Sequence, residues 1–169
     1  MMVPSYFVCF KDLKELHDKN INAKGCYVSE IINNNRTHVN KTFIPSNLIM
    51  GCNKRDNSMR DLMLYLESVL SSVHNDFFKF EGVLNHIYSM VVNKKINVID
   101  GKLIGIKNQN NKAVILDDMM GNNSLQLAEN KVGLLIDGEQ LAKRTKYGWF
   151  LNQSKKQILE ADIIVSKYL

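Results

Sequence analysis

The spacing of apolar residues changes near Lys95, and that change limits the folds open to this chain. Before it, apolar residues recur every three or four positions from Met59 to Val73, the repeat of an amphipathic α-helix. A second stripe with this repeat consists of Phe77, Phe80, Leu84, Ile87 and Val91. After Lys95, short apolar runs alternate with turn-forming residues, which indicates strands. The change of period predicts an α+β fold.

Two β-prone runs lie before the helices, at Gly25 to Ile32 and Thr37 to Ile44. The Asn-rich stretch from Asn33 to Arg36 between them favours a turn, so the two runs predict a β-hairpin. Pro45 is expected to end the second strand, because proline has no N–H to donate to a neighbouring strand.

The second half carries two Asp-Gly pairs, Asp100-Gly101 and Asp137-Gly138, which favour type I′ hairpin turns. Ser154 and Gln157 have the capping-box spacing and predict a terminal helix. We therefore expect a single globular α+β domain over residues 1–169. It has an N-terminal β-hairpin region, a central amphipathic αα-hairpin and a C-terminal antiparallel β meander with a terminal helix. The meander strands are expected at residues 96–99, 102–107, 113–116, 125–128, 132–136 and 147–151.

The composition indicates an intracellular protein. The three cysteines are widely spaced and suggest no disulfide framework, which fits a reducing compartment. No signal peptide is evident, and no apolar run approaches the roughly 18 residues of a membrane span, so neither secretion nor a membrane is expected. The abundance of Lys and Asn, both encoded by AT-rich codons, is typical of a low-GC genome such as that of a virus.

A catalytic site is not expected. Asp117 and Asp118, followed by Glu129 and Lys131, are candidates for a Mg²⁺-dependent nuclease, because carboxylates hold the ion and a lysine can face the scissile phosphate. The pattern is loose, and the alternative is a solvated loop and strand. The four histidines show no metal-ligand spacing, and no nucleotide-binding or nucleophile motif occurs. We expect no metal and no cofactor.

The segment from Lys143 to Lys156 is the candidate binding site. Cations interleaved with aromatic residues suit phosphate contact and base stacking, and they also suit protein interfaces. If Tyr147 and Trp149 share an exposed face, they form a stacking platform; if they point inward, they are core residues with a solvated basic rim. The candidate binding residues are Lys143, Arg144, Lys146, Tyr147, Trp149, Lys155 and Lys156.

These observations predict a non-catalytic accessory or assembly protein that acts by binding a protein partner or by self-association. The first alternative is a nucleic-acid-binding protein that uses residues 143–156. The net charge of +5 permits phosphate contact but is a mild excess for a dedicated nucleic-acid binder. The second alternative is the metal-dependent nuclease.

Overall fold

The computed structural model describes residues 1–33, 41–72, 80–122, 124–136, 138–143 and 145–168. The chain forms two compact units. The first unit is Met1–Pro4 with Lys14–Asp100, and the second is Ser5–Leu13 with Gly101–Leu169. Both helices and strands are present, so the α+β class is confirmed. The single domain expected over residues 1–169 stays a prediction.

The first unit is built on a three-stranded sheet. Its strands are β2 (Cys26–Ile32), β3 (Phe43–Cys52) and β4 (Asn97–Ile99), in the order β3-β2-β4. β2 is antiparallel to β3 and parallel to β4. Of the second strand expected at Thr37 to Ile44, only Phe43 and Ile44 lie in β3, where they pair with Ile32 and Ile31, and residues 37–40 lie outside the described residues. The proposed turn at Asn33 to Arg36 lies largely outside the described residues.

Pro45 does not end the second strand, contrary to expectation. β3 continues to Cys52, and Pro45 lies opposite Glu30 within the ladder. β3 is the outer strand in the order of the described sheet, and an edge strand tolerates a proline. The register of the pair shifts between Val28 and Ser29, which gives the longer β3 its irregular pairing.

Three helices accompany this sheet: α1 (Leu13–Lys24), α2 (Asn57–Ser72) and α3 (Phe80–Val92). The two central amphipathic helices are therefore present, and residues 73–79 between them lie outside the described residues. The cap of α2 is Asp56, whose Oδ1 accepts from the Met59 backbone N–H at 3.0 Å. The hydroxyl of Ser58, in the first turn of α2, donates to the Lys95 carbonyl at 3.1 Å.

Alternate residues of β2 point to opposite faces of the sheet. Cys26 and Val28 belong to the core cluster of this unit, together with Leu62, Val83, Ile87, Met90 and Ile96. Tyr27 points the other way, towards α1, where its hydroxyl lies 2.8 Å from His17 Nδ1. The sheet thus has α2 and α3 on one face and α1 on the other.

Stability is expected to fall as the pH rises from 9.0 towards 12. Burial raises the pKa of the Cys26 thiol from its ordinary 9.0 to about 12, and it raises the pKa of the Tyr27 phenol from 10.0 to about 12. The folded state therefore keeps protons that the unfolded chain has already released, so each step in pH favours unfolding. Denaturant titrations across this range measure the trend. Tyr27→Phe should flatten the decline above pH 10.0; an unchanged decline would contradict the assignment to Tyr27.

The second unit joins an N-terminal strand to the C-terminal half of the chain. β1 (Phe7–Cys9) pairs antiparallel with β5 (Gly133–Leu135). Its helices are α4 (Leu116–Met120), α5 (Gly138–Lys143), α6 (Gly148–Leu151) and α7 (Lys155–Glu160). Short 3₁₀ segments lie at Thr145–Tyr147 and Val165–Tyr168. The core cluster consists of Val114, Leu116, Met119, Met120, Leu127, Leu134, Ile136, Leu141, Tyr147, Ile163 and Val165.

The prediction of a C-terminal antiparallel meander was wrong for most of its strands. Residues 96–99 and 132–136 contain β4 and β5, but the other runs form turns, isolated bridges or helix. Gly105 has a φ angle of 73° and interrupts the extended conformation within the strand expected at residues 102–107. The hydrogen bonds from Ile106 N to the Gly101 carbonyl and from Val114 N to the Ile106 carbonyl replace a continuous ladder.

Neither Asp-Gly pair joins two paired neighbouring strands. Asp100 and Gly101 are not among the positive-φ residues, whereas a type I′ turn requires positive φ at both central positions. Gly138 is the first residue of α5, and Asp137 lies outside the described residues. The terminal helix is confirmed: Ser154 and Gln157 form the capping box of α7.

Candidate binding surface

The basic segment, residues 143–156, is helical rather than extended. It includes the last residue of α5, the 3₁₀ turn Thr145–Tyr147, all of α6 and the start of α7. This corrects the strand expected at residues 147–151. It also decides which side chains reach solvent, because positions two apart point to the same side of a strand but to different sides of a helix.

Tyr147 is a core residue. It is 5% exposed and packs in the core cluster of the second unit. Its hydroxyl donates a 2.6 Å hydrogen bond to Asp117 Oδ1, which satisfies the polar end of the buried ring. The two-ring stacking platform considered from the sequence is therefore absent, since Tyr147 cannot present its ring to a ligand without leaving the core.

Trp149 is a surface residue, with 40% of its area exposed. Its ring meets that of Phe150 edge to face, with centroids 5.8 Å apart and planes at 81°. Phe150 is partly buried and packs against the core cluster. The indole is thus supported by a core-packed neighbour while a large part of it faces solvent.

Exposed cations accompany Trp149 through the basic segment. Lys143, Lys146, Lys155 and Lys156 are all exposed, and Arg144 lies outside the described residues. Lys146 Nζ lies 3.7 Å from Asp117 Oδ1 and 5.0 Å from the centroid of the Tyr147 ring. Tyr147 and then Asp117 raise the pKa of Lys146, so this ammonium stays charged at neutral pH.

The charged residues of the basic segment are all of one sign. It contains five Lys and Arg residues and no Asp or Glu. Lys146 and Lys156 have carboxylates within 4.0 Å, from Asp117 and Glu160 respectively. Both pairs are solvent-exposed, and such pairs contribute little free energy. The segment therefore carries net positive charge together with a partly exposed indole.

The four nuclease candidates have separate contacts. Asp117 accepts from Tyr147, and Asp118 accepts from the Ile115 backbone N–H at 3.0 Å as part of the capping box of α4. Glu129 is exposed, and the Lys131 ammonium lies 4.7 Å from the centroid of the Tyr168 ring. In the described part of the chain, no three His, Cys, Asp or Glu side chains group as metal ligands.

Two cavities of the first unit were not predicted from the sequence. One, of about 290 Å³, is lined in part by His86, Asp61 and Lys95. Lys95 Nζ lies 3.3 Å from Asp61 Oδ2. His86 is partly buried and stacks on Tyr65, with ring centroids 4.0 Å apart. The other, of about 440 Å³, is lined by Met1, Met2, Asn47, Met50, Gly51, Cys52, Met59, Leu62, Met63, Leu66 and Val83. Both combine residues distant in sequence, and no local motif marks such combinations.

None of the helices that the structure describes has the length and apolar character needed to cross a bilayer. Comparison of the chain with family models, curated proteins and solved structures finds no match in any of the three.

Proposed function

We propose that this chain is a non-catalytic binding protein that engages an acidic surface of a protein partner through the basic segment. The observation that supports the proposal best is the 40% exposure of Trp149, the only tryptophan in the chain, among exposed lysines. Exposing part of a large aromatic side chain leaves apolar surface in contact with water, and its burial against a partner would recover that free energy.

A protein partner accounts for two features of the segment. Tryptophan is among the residues most enriched at interface hot spots, where a few anchors contribute most of the binding free energy. The exposed lysines on either side of Trp149 in the sequence suit acidic side chains on the partner, since complementary charge speeds encounter and fixes orientation. The support of the indole by Phe150 limits the entropy lost on binding, because the ring is already partly ordered.

Truncation of Trp149 is expected to abolish partner recovery without unfolding the protein. The tagged full-length chain, purified from the cells that express it, should retain a specific partner that Trp149→Ala loses. An anchor of this kind contributes about 2 kcal/mol or more, equivalent to a roughly 30-fold weaker complex. Leu159→Ala is the matched control, because Leu159 is 44% exposed on the neighbouring α7. Equal recovery of the same proteins by Trp149→Ala and the unsubstituted chain would contradict the proposal.

Single-stranded nucleic acid is the second candidate, because the basic segment has five cations and no acidic residue. The sole tryptophan provides its own assay: a stacked base should quench Trp149 emission during titration with an oligonucleotide. Binding should weaken with salt, with log K falling by about 0.7 per log unit of salt for each phosphate contacted. Lys155→Gln with Lys156→Gln should reduce that slope. Absence of quenching at low salt would reject this candidate and leave the protein partner.

A further inference from the structure

Two cysteines of the first unit lie directly opposite each other on neighbouring antiparallel strands. Cys26 begins β2, Cys52 ends β3, and the register pairs their Cα atoms. Both side chains belong to the same packed face: Cys26 is buried in the core cluster, and Cys52 is partly buried against it. Twenty-five residues separate them in sequence, so their proximity is a product of the fold.

The hydrogen bonding identifies which kind of cross-strand pair this is. The Asn53 backbone N–H donates to the Gly25 carbonyl at 2.7 Å, across the positions that flank the two cysteines. In an antiparallel ladder this bond places Cys26 and Cys52 at a non-hydrogen-bonded pair, where Cα atoms lie about 4.5 Å apart and side chains are closest. A disulfide requires Cα atoms about 4.4–6.8 Å apart, and a non-hydrogen-bonded pair meets this requirement at its short end.

We propose that Cys26 and Cys52 are a redox-active pair that closes into an intrachain disulfide on exposure to a low-molecular-weight disulfide such as oxidised glutathione. Both cysteines are free thiols in this structure. Cys52 is half-buried and lines the 440 Å³ cavity, through which a reagent can reach its sulfur. Cys26 is 2% exposed, so its partner for exchange is the neighbouring sulfur rather than an external reagent.

The reaction has two exchange steps. The Cys52 thiolate attacks one sulfur of oxidised glutathione; a bond forms between Cys52 and that glutathione, the glutathione disulfide breaks, and the first glutathione leaves as a thiolate that takes up a proton. The Cys26 thiolate then attacks the Cys52 sulfur and releases the second glutathione. Two protein thiols are oxidised, and one glutathione disulfide is reduced to two glutathione molecules.

The second step is expected to be the slower one. Burial, followed by the Asp56 carboxylate and Cys52, raises the pKa of Cys26 to about 12, and the Tyr27 backbone N–H opposes this effect. Only the thiolate attacks, so the closure rate should increase roughly tenfold per pH unit below that pKa. A singly glutathionylated intermediate should therefore accumulate at neutral pH and close more quickly in alkaline buffer.

The test uses the full-length chain with Cys9→Ala, which removes the third thiol from its exposed position on β1. Incubation with oxidised glutathione should consume both remaining thiols, and mass spectrometry should find a protein lighter by two hydrogens with a peptide cross-linked between Cys26 and Cys52. Adding Cys26→Ala should stop the reaction with one glutathione on Cys52. The native chain should close faster than the same chain in denaturant.

Three results would overturn the proposal. They are persistence of the glutathione adduct in Cys9→Ala at every pH, retention of both thiols in the folded chain, and closure no faster than in denaturant. If Cys26→Ala does not fold, Cys52→Ala in the Cys9→Ala background provides an independent control. It should keep one thiol that resists glutathione in the native chain, because Cys26 is buried; ready glutathionylation of that thiol would also contradict the account.

Discussion

Ile87→Ala should lower the free energy of unfolding by about 2–5 kcal/mol, the range for removing a buried aliphatic side chain. Ile87 is fully buried at the centre of α3 and belongs to the core cluster shared by β2, α2 and α3. Truncation removes apolar surface from this cluster and leaves a cavity that the surrounding helices and sheet can fill only in part. Denaturant unfolding with a far-ultraviolet circular dichroism readout measures the change.

Val92→Ala is the control for this experiment. Val92 lies on the same helix, is 60% exposed, and should change the unfolding free energy by no more than about 0.5 kcal/mol. A loss below 1 kcal/mol for Ile87→Ala, or equal losses for the two variants, would show that α3 does not pack through the face described above.

Gly133→Ala should disrupt the pairing of β1 with β5 and destabilise the second unit by about 3 kcal/mol, at the upper end of the usual cost of overpacking. A Cβ atom at this position would lie 2.2 Å from Phe7 Cζ and 2.6 Å from the Val8 carbonyl oxygen. A side chain can rotate away, but a backbone carbonyl moves only with its strand. The added methyl group therefore forces β1 away from β5.

Gly148→Ala is the matched control, because a Cβ atom at Gly148 meets nothing within 4 Å. This substitution should change stability by less than about 1 kcal/mol, in the stabilising direction, since alanine favours helix more than glycine does. Amide exchange resolves the site of damage: Gly133→Ala should expose the Ile136 amide, which donates to the Tyr6 carbonyl at 3.1 Å, and the Phe10 amide, which donates to the Val132 carbonyl at 2.9 Å. Similar unfolding free energies for the two variants would contradict the proposed close approach of β1.

The helices of the first unit were predictable because their apolar residues repeat over several turns. A long stripe of this kind indicates an amphipathic helix and nothing else. The bounds of α2, Asn57–Ser72, agree closely with the stripe from Met59 to Val73. The short apolar runs of the second unit carry no such information, because four to six residues fill a strand or a buried turn equally well. The parallel pairing of β2 with β4 joins residues about 70 positions apart and has no local signature.

The candidate binding site was predictable only in part, because its residues are neighbours in sequence but their orientation is not visible there. The sequence shows that cations and aromatics are neighbours from Lys143 to Lys156, but the direction of each side chain depends on the backbone. A strand would have placed Tyr147 and Trp149 on one face. The helical turn that forms places Tyr147 in the core and Trp149 at the surface. The cross-strand cysteines needed the register of two strands, which the printed sequence does not contain.

The affinity of the purified partner for Trp149→Ala tests the central claim most directly. Calorimetric titrations of the partner into the unsubstituted chain, Trp149→Ala and Leu159→Ala compare complexes under one set of conditions, with unfolding measured in parallel. The account predicts binding at least about 30-fold weaker for Trp149→Ala, unchanged for Leu159→Ala, and unfolding free energies within about 0.5 kcal/mol of one another. Equal affinity of Trp149→Ala and the unsubstituted chain would contradict it.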